Sequence, residues 1–271
     1  MAIGALSALA LASGFMVVSQ ERMMFLNVHD EHSRLFLQGK PGFYEIEFTA
    51  RNGKTYHGMM YQATSEKAPL LIFFGGNGDC SYRNMRFNEE RGLWGYFAGY
   101  HYLYIDYEGY GLNGGQASYQ NMYEQALAVY DFAATLDNVD SSRIATMGFS
   151  IGTGSAVHLA AHRPVTGLIL VSPFANGYDL YNNLLPVFFG PMRMLVRQKL
   201  PSEGFAPYVD SPALVIASRG DRVVPFRSSE RLVKAFRHDV EFIALDHAGH
   251  NHIFKEEGVF ERIQGFLETL K

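Results

Sequence analysis

Gly148-Phe149-Ser150-Ile151-Gly152 decides how the rest of the chain is read. An apolar run, Ile144-Ala145-Thr146-Met147, leads into it, and Thr153 to Ala161 reads as a helix. Strand, sharp turn and helix are the context in which Gly-x-Ser-x-Gly carries a nucleophile. The turn predicts a strained backbone at Ser150, which holds the hydroxyl clear of the sheet edge. Gly148 and Gly152 suit places where a Cβ would strike the neighbouring strand or helix. The following helix aims free N–H groups and its positive dipole end toward the serine. The bland reading, a glycine-rich turn with an incidental serine, loses ground to that flanking context.

Working outward, the strands on either side predict a layered α/β architecture. Tyr44–Thr49 alternates, Arg51-Asn52-Gly53-Lys54 turns, and Thr55–Gln62 alternates again, a hairpin signal. Pro69–Phe74 is continuously apolar, as expected of a strand covered on both faces. Tyr102–Asp106, Gly167–Ser172, Ala213–Ser218 and Val240–Leu245 are further strands. Met122, Ala126, Val129, Ala133 and Leu136 fall at helical spacing, and Ser228–Arg237 and Val259–Leu270 also read as helices. This alternation predicts one mostly parallel eight-stranded sheet with helices on both faces. Residues 20–271 are read as a single domain, with an insertion over about 173–211 that is aromatic and proline-rich. Such a long apolar excursion is a small cap or binding loop, or else a helical excursion that only packs on the core. Its basic cluster, Arg193, Arg197 and Lys199, reads as a solvated face or one that rests on acidic lipid.

Composition narrows the function classes. In 271 residues, 48% of them hydrophobic, there are 23 Lys+Arg against 27 Asp+Glu, so no basic surplus points to nucleic acid. Cys80 is the only cysteine, which excludes an intrachain disulfide. No Cys/His spacing suggests a metal, and no cofactor is implied. The uncharged run Ala2–Val18 reads as a membrane anchor, an export signal or a buried N-terminal helix. The first two imply membrane association or export of the protein. The third leaves it cytoplasmic.

A serine needs a base, and the base needs an orienting group. Two loops beyond strand ends offer them, in the order nucleophile, acid, histidine. Asp221 lies in Arg219-Gly220-Asp221-Arg222-Val223-Val224-Pro225, and is otherwise a turn-capping aspartate. His250 lies in Asp246-His247-Ala248-Gly249-His250-Asn251-His252, with His247 and His252 as fallback bases. For the oxyanion hole the backbone N–H groups of Ile151 and Asn77 are expected, the latter from Gly75-Gly76-Asn77-Gly78.

With these pieces the chain, from about Tyr44 to its end, resembles the α/β-hydrolase superfamily. It is most similar to the small-capped branch of carboxylesterases, depalmitoylases and serine-aminopeptidase-like proteins. Gly148–Gly152, Gly220–Pro225, Ala248–Asn251, Phe74–Gly78 and Ile105-Asp106-Tyr107-Glu108-Gly109-Tyr110-Gly111 carry the resemblance. Three positions depart from the branch's pattern. Gly75 stands where His is usual, Glu108 where Arg is common and Asn113 where Ser is common. The resemblance implies an α/β-hydrolase fold with a small cap. With the residues above, it implies a serine hydrolase cleaving an acyl ester or thioester of a small or lipid-like substrate. An N-terminal anchor is frequent in that branch and fits residues 2–18. A peptidase or amidase on the same triad is the alternative, and a catalytically silent scaffold is the alternative of another class.

Overall fold

The computed structural model describes residue 14, residues 24–184, residue 186 and residues 188–270. The expected anchor or signal segment, residues 2–18, lies outside them apart from Gly14. Among the described residues no helix is long and apolar enough to cross a membrane.

The hairpin forms as its alternation requires: β1 (Phe43–Thr49) pairs antiparallel with β2 (Thr55–Tyr61). A tight turn closes it, with Ala50 N–H donating to Lys54 O at 2.8 Å. The continuous apolar runs become β3 (Ala68–Phe74), β4 (His101–Ile105), β5 (Val139–Phe149), β6 (Leu168–Val171), β7 (Ala213–Ser218) and β8 (Glu241–Leu245). Together they make one eight-stranded sheet in the order β1-β2-β4-β3-β5-β6-β7-β8, parallel throughout from β4 to β8.

Alternate side chains along each strand enter opposite cores, because successive residues point to opposite faces. Leu70, Ile72 and Phe74 of β3 join one core, and Leu71 and Phe73 join the other. The first core is covered by Tyr119–Ala133, Gly152–His162 and Phe226–Val233. Ser81–Glu90 and Val259–Thr269 cover the second. Strands buried from both sides carry no polar alternation, which is why β7 is buried at every position.

Helix boundaries follow local chemistry. Ser118 caps Tyr119–Ala133, its hydroxyl accepting from Asn121 N–H. The helix expected over Ser228–Arg237 begins earlier, at Phe226 directly after Pro225, and ends at Val233. Two helices that the sequence reading did not single out, Glu31–Leu37 and Ser81–Glu90, are set by capping as much as by periodicity. Asp30 caps the first, and the buried Asp106 carboxylate accepts from Ser81 N–H at 2.6 Å to hold the second. The insertion after β6 breaks into short pieces, a helix at Gly177–Leu184, a 3₁₀ turn at Gly190–Leu195 and a helical turn at Ser202–Phe205. They close over a small core of Tyr181, Phe188 and Val196.

Candidate active site

The turn after β5 puts Ser150 in the left-handed region, at φ +52°. Non-glycine residues rarely adopt this conformation, and it persists only where the surroundings enforce it. Here two contacts enforce it. Ser150 N–H donates to Val171 O on β6 at 3.0 Å, and Ser150 O accepts from Thr153 N–H at 3.0 Å at the head of Gly152–His162. The flanking glycines leave no slack. A Cβ on Gly148 would stand 2.7 Å from Thr153 Cα, and one on Gly152 would overlap the Phe74 carbonyl oxygen. Strand, turn and helix therefore pack backbone to backbone, and only hydrogen fits at those two positions.

Asp221 and His250 reach Ser150 from the ends of β7 and β8. The two loops meet at Gly220, where a Cβ would stand 2.7 Å from His247 O. Asp221 is both readings at once. Its Oδ1 caps its own turn, accepting from Val223 and Val224 N–H at 2.8 and 2.9 Å, while Oδ2 lies 2.7 Å from His250 Nδ1. Burial pushes this carboxyl up. The His250 hydrogen bond and charge, with the Val224 and Val223 N–H groups, outweigh that, and its pKa lies below the ordinary value. It is therefore ionised at neutral pH and only accepts. His250 Nδ1 must then carry the proton, which leaves Nε2 to accept from Ser150 Oγ, 2.9 Å away. The chain Asp221–His250–Ser150 is unbroken. The Phe149 ring stacks on the imidazole at 5.1 Å and helps hold it upright. His247 and His252 are exposed, and neither joins this chain.

Ile151 and Asn77, the expected oxyanion donors, line the same pocket as Ser150. Among the described residues neither N–H has a protein acceptor. The loop that carries Asn77 is held by partners that sequence reasoning missed. Tyr107 Oη donates to Gly75 O at 3.0 Å, Tyr110 Oη donates to Asn77 Oδ1 at 2.9 Å, and Leu26 N–H donates to the same oxygen at 2.7 Å. For the two tyrosines the signal in the sequence was Ile105–Gly111, read only as part of the resemblance, and Leu26 had none. The departures from the branch's pattern also find their places. A Cβ at Gly75 would overlap the Tyr104 hydroxyl, so this chain has no room there for a side chain. Glu108 pairs with Lys54 at 2.8 Å and Asn121 at 3.1 Å, tying the hairpin to Tyr119–Ala133 away from the pocket. Asn113 accepts from His57 N–H at 2.7 Å and donates to Asp106 O.

The pocket measures about 120 Å³ and its remaining walls are Met24, Leu180, Tyr181, Leu184, Val223 and Val224. It is apolar except at the serine end. A larger cleft of about 400 Å³ lies between the hairpin and Tyr119–Ala133, lined by Arg51, Glu124 and Asp131 among others, with neither serine nor histidine. Of the two, the smaller one holds Ser150, whose hydroxyl His250 contacts.

Comparison with known proteins gives the family. A model of the serine hydrolase family matches residues 128–268. An uncharacterized protein of Mycobacterium tuberculosis is 36% identical over 213 residues, 78% of this chain and 73% of that one. The human alpha/beta hydrolase domain-containing protein 17C is 30% identical over 162 residues, 60% of this chain and 47% of that protein. Among solved structures, the Pyrococcus furiosus esterase Pf2001 superposes with a TM-score of 0.69 at 17% identity, covering 90% of this chain and 98% of that one. An acylaminoacyl peptidase of Pyrococcus horikoshii superposes with a TM-score of 0.62 at 17% identity, covering 88% and 43%. With the sheet order, the turn at Ser150 and these matches in agreement, the chain belongs to the α/β-hydrolase superfamily, among its serine hydrolases.

Proposed function

We propose that the protein cleaves an acyl ester or thioester through a covalent acyl-serine intermediate. Ser150 Oγ attacks the carbonyl carbon while His250 Nε2 takes its proton. The new Oγ–C bond leaves a tetrahedral oxyanion between the N–H groups of Ile151 and Asn77. His250 then gives the proton to the departing alcohol or thiol as the C–O or C–S bond breaks. Water repeats the sequence to release the acid and restore Ser150. Asp221 holds the Nδ1–H tautomer and stabilises the imidazolium formed in each half.

The observation that carries this reading is the continuous hydrogen-bond chain, 2.7 Å from carboxylate to imidazole and 2.9 Å from imidazole to hydroxyl. The acyl group is assigned to the apolar walls, Leu180, Leu184 and Val224, because such surfaces accept apolar ligands. The fold does not choose the bond, since an esterase and an acylaminoacyl peptidase share it. A fluorophosphonate probe should label the protein and fail to label Ser150→Ala. Ester, thioester and aminoacyl-amide substrates assayed in parallel then separate the reactions. Faster turnover of the amide would overturn the ester assignment. Rates that stay flat or fall from acetyl to octanoyl esters would overturn the apolar acyl chain.

A further inference from the structure

The insertion that roofs the pocket is apolar on both its sides. Its inner side is the buried trio Tyr181, Phe188 and Val196. Its outer side carries Leu184, Phe189, Met192 and Met194, exposed by 67%, 60%, 37% and 85%. Five of the eleven exposed large hydrophobic residues among the described residues fall within Leu184–Leu195, so this is a patch rather than scatter. Leu184 belongs to the patch and to the pocket wall, which sets the two side by side.

Charge in the middle of the insertion runs against the rest of the chain. The whole carries a formal charge of −4, yet from Leu180 to Ser202 there is no Asp or Glu, and Arg193, Arg197 and Lys199 are all exposed. Arg193 lies over the Tyr178 ring at 4.6 Å, beside the exposed apolar residues. Exposed apolar side chains interleaved with bases, free of acids, match a surface that is apolar inside and anionic at its headgroups.

In sequence, the N-terminal run lies close to a residue of this pocket. Met24 lines the pocket and packs on the insertion's small core. Five residues separate it from Val18, the end of the uncharged run Ala2–Val18.

We propose that the insertion docks on an anionic lipid bilayer, with Phe189, Met192 and Met194 entering the interface, Arg193, Arg197 and Lys199 meeting the headgroups, and the pocket opening beside the lipid. This surface is independent of which acyl bond Ser150 cleaves.

The test uses the full chain carrying Met194→Cys. Cys80 is fully buried, so a thiol-reactive environment-sensitive fluorophore reports position 194 alone. The probe should shift to the blue on phosphatidylcholine/phosphatidylserine vesicles and be quenched by spin-labelled lipid. Arg193→Gln/Lys199→Gln should weaken this binding by at least about tenfold, on the order expected for two bases at an anionic surface. That variant should melt as the parent does and turn over a soluble acetyl ester at the parental rate. No probe shift while the protein sediments with vesicles would mean that residues 2–18 alone bind lipid, and would overturn the proposal. An equal shift on pure phosphatidylcholine would overturn the anionic assignment. A shift without vesicles that grows with protein concentration would assign the patch to a second copy of the chain instead. Docking with no ester turnover would defeat the proposed reaction and leave the docking surface standing.

Discussion

Phe149 and Phe189 each stand next to a tight backbone turn, and their surroundings are opposite. Phe149 is clamped between the His250 ring and Phe254, with its edge 2.8 Å from where a Cβ on Gly76 would sit. Phe189 is 60% exposed on the insertion, one residue from the fully buried Phe188. At the sheet edge every atom is set by strand pairing and by glycines with no room for a methyl group. On the insertion, a few buried side chains hold a surface whose outer half is exposed among the described residues. Chemistry needs the first kind of region, because sub-ångström placement decides proton transfer. A binding face tolerates the second.

If this contrast is right, changes at the edge should be far costlier than changes on the insertion. The largest effect is expected from Ser150→Ala, with ester turnover reduced by roughly 10⁴-fold or more and melting nearly unchanged. Asp221→Asn should cost somewhat less, on the order of 10³–10⁴-fold in kcat, because it disturbs the tautomer of His250 while leaving the nucleophile in place. An Asp221→Asn protein with near-parental kcat would break the proposed proton path. Gly152→Ala should act on the fold: its methyl meets the Phe74 and Gly75 carbonyl oxygens, and denaturant titration should read a loss of about 2–3 kcal/mol. Tyr110→Phe removes one of two donors to Asn77 Oδ1 and should lower kcat about fivefold with little change in KM, since the Leu26 N–H bond remains. A KM effect alone would mean that the loop serves binding rather than the oxyanion.

The smallest effect sharpens the contrast through pH. Burial pushes the Asp106 carboxyl up to about 7, opposed in part by the Ser81 N–H and hydroxyl that it accepts. The nearby Asp79 is raised by burial to about 6. Between the ordinary carboxylate value and these raised values, the unfolded chain loses protons that the folded protein keeps. These two carboxyls should therefore make stability fall as pH rises from about 4 to about 7, while His158, held down to about 4 by burial, and His101, also lowered by burial, act in the opposite sense over the same window. Asp221, whose value is lowered, works in the opposite sense and only below its ordinary value near 3.8. Across this range the melting temperature of the parent should fall relative to that of Asp106→Asn as pH rises, and no relative fall would break the assignment.

The fold and the three hydrogen-bonded candidates were legible in the sequence because each is signalled locally. A doubly buried strand must be continuously apolar, a serine on a strained turn needs small neighbours, and the acid and base sit beside turn residues at strand ends. The order of residues along the chain thus determined the sheet, the turn at Ser150 and the candidates Asp221 and His250. His250 was preferred in the sequence for its place after Ala248-Gly249, with His247 and His252 as fallbacks, but only the packing of the β7 and β8 loops at Gly220 joins it to Asp221 and Ser150. Nor was the clamp of Tyr107, Tyr110 and Leu26 on the Gly75–Asn77 loop, whose partners are 32, 33 and 51 residues apart. The double duty of Asp221, one oxygen on its turn and one on the imidazole, also appeared only in three dimensions. Local pattern specifies what a segment becomes, while contacts between distant segments arise only when the sheet brings their ends to one edge.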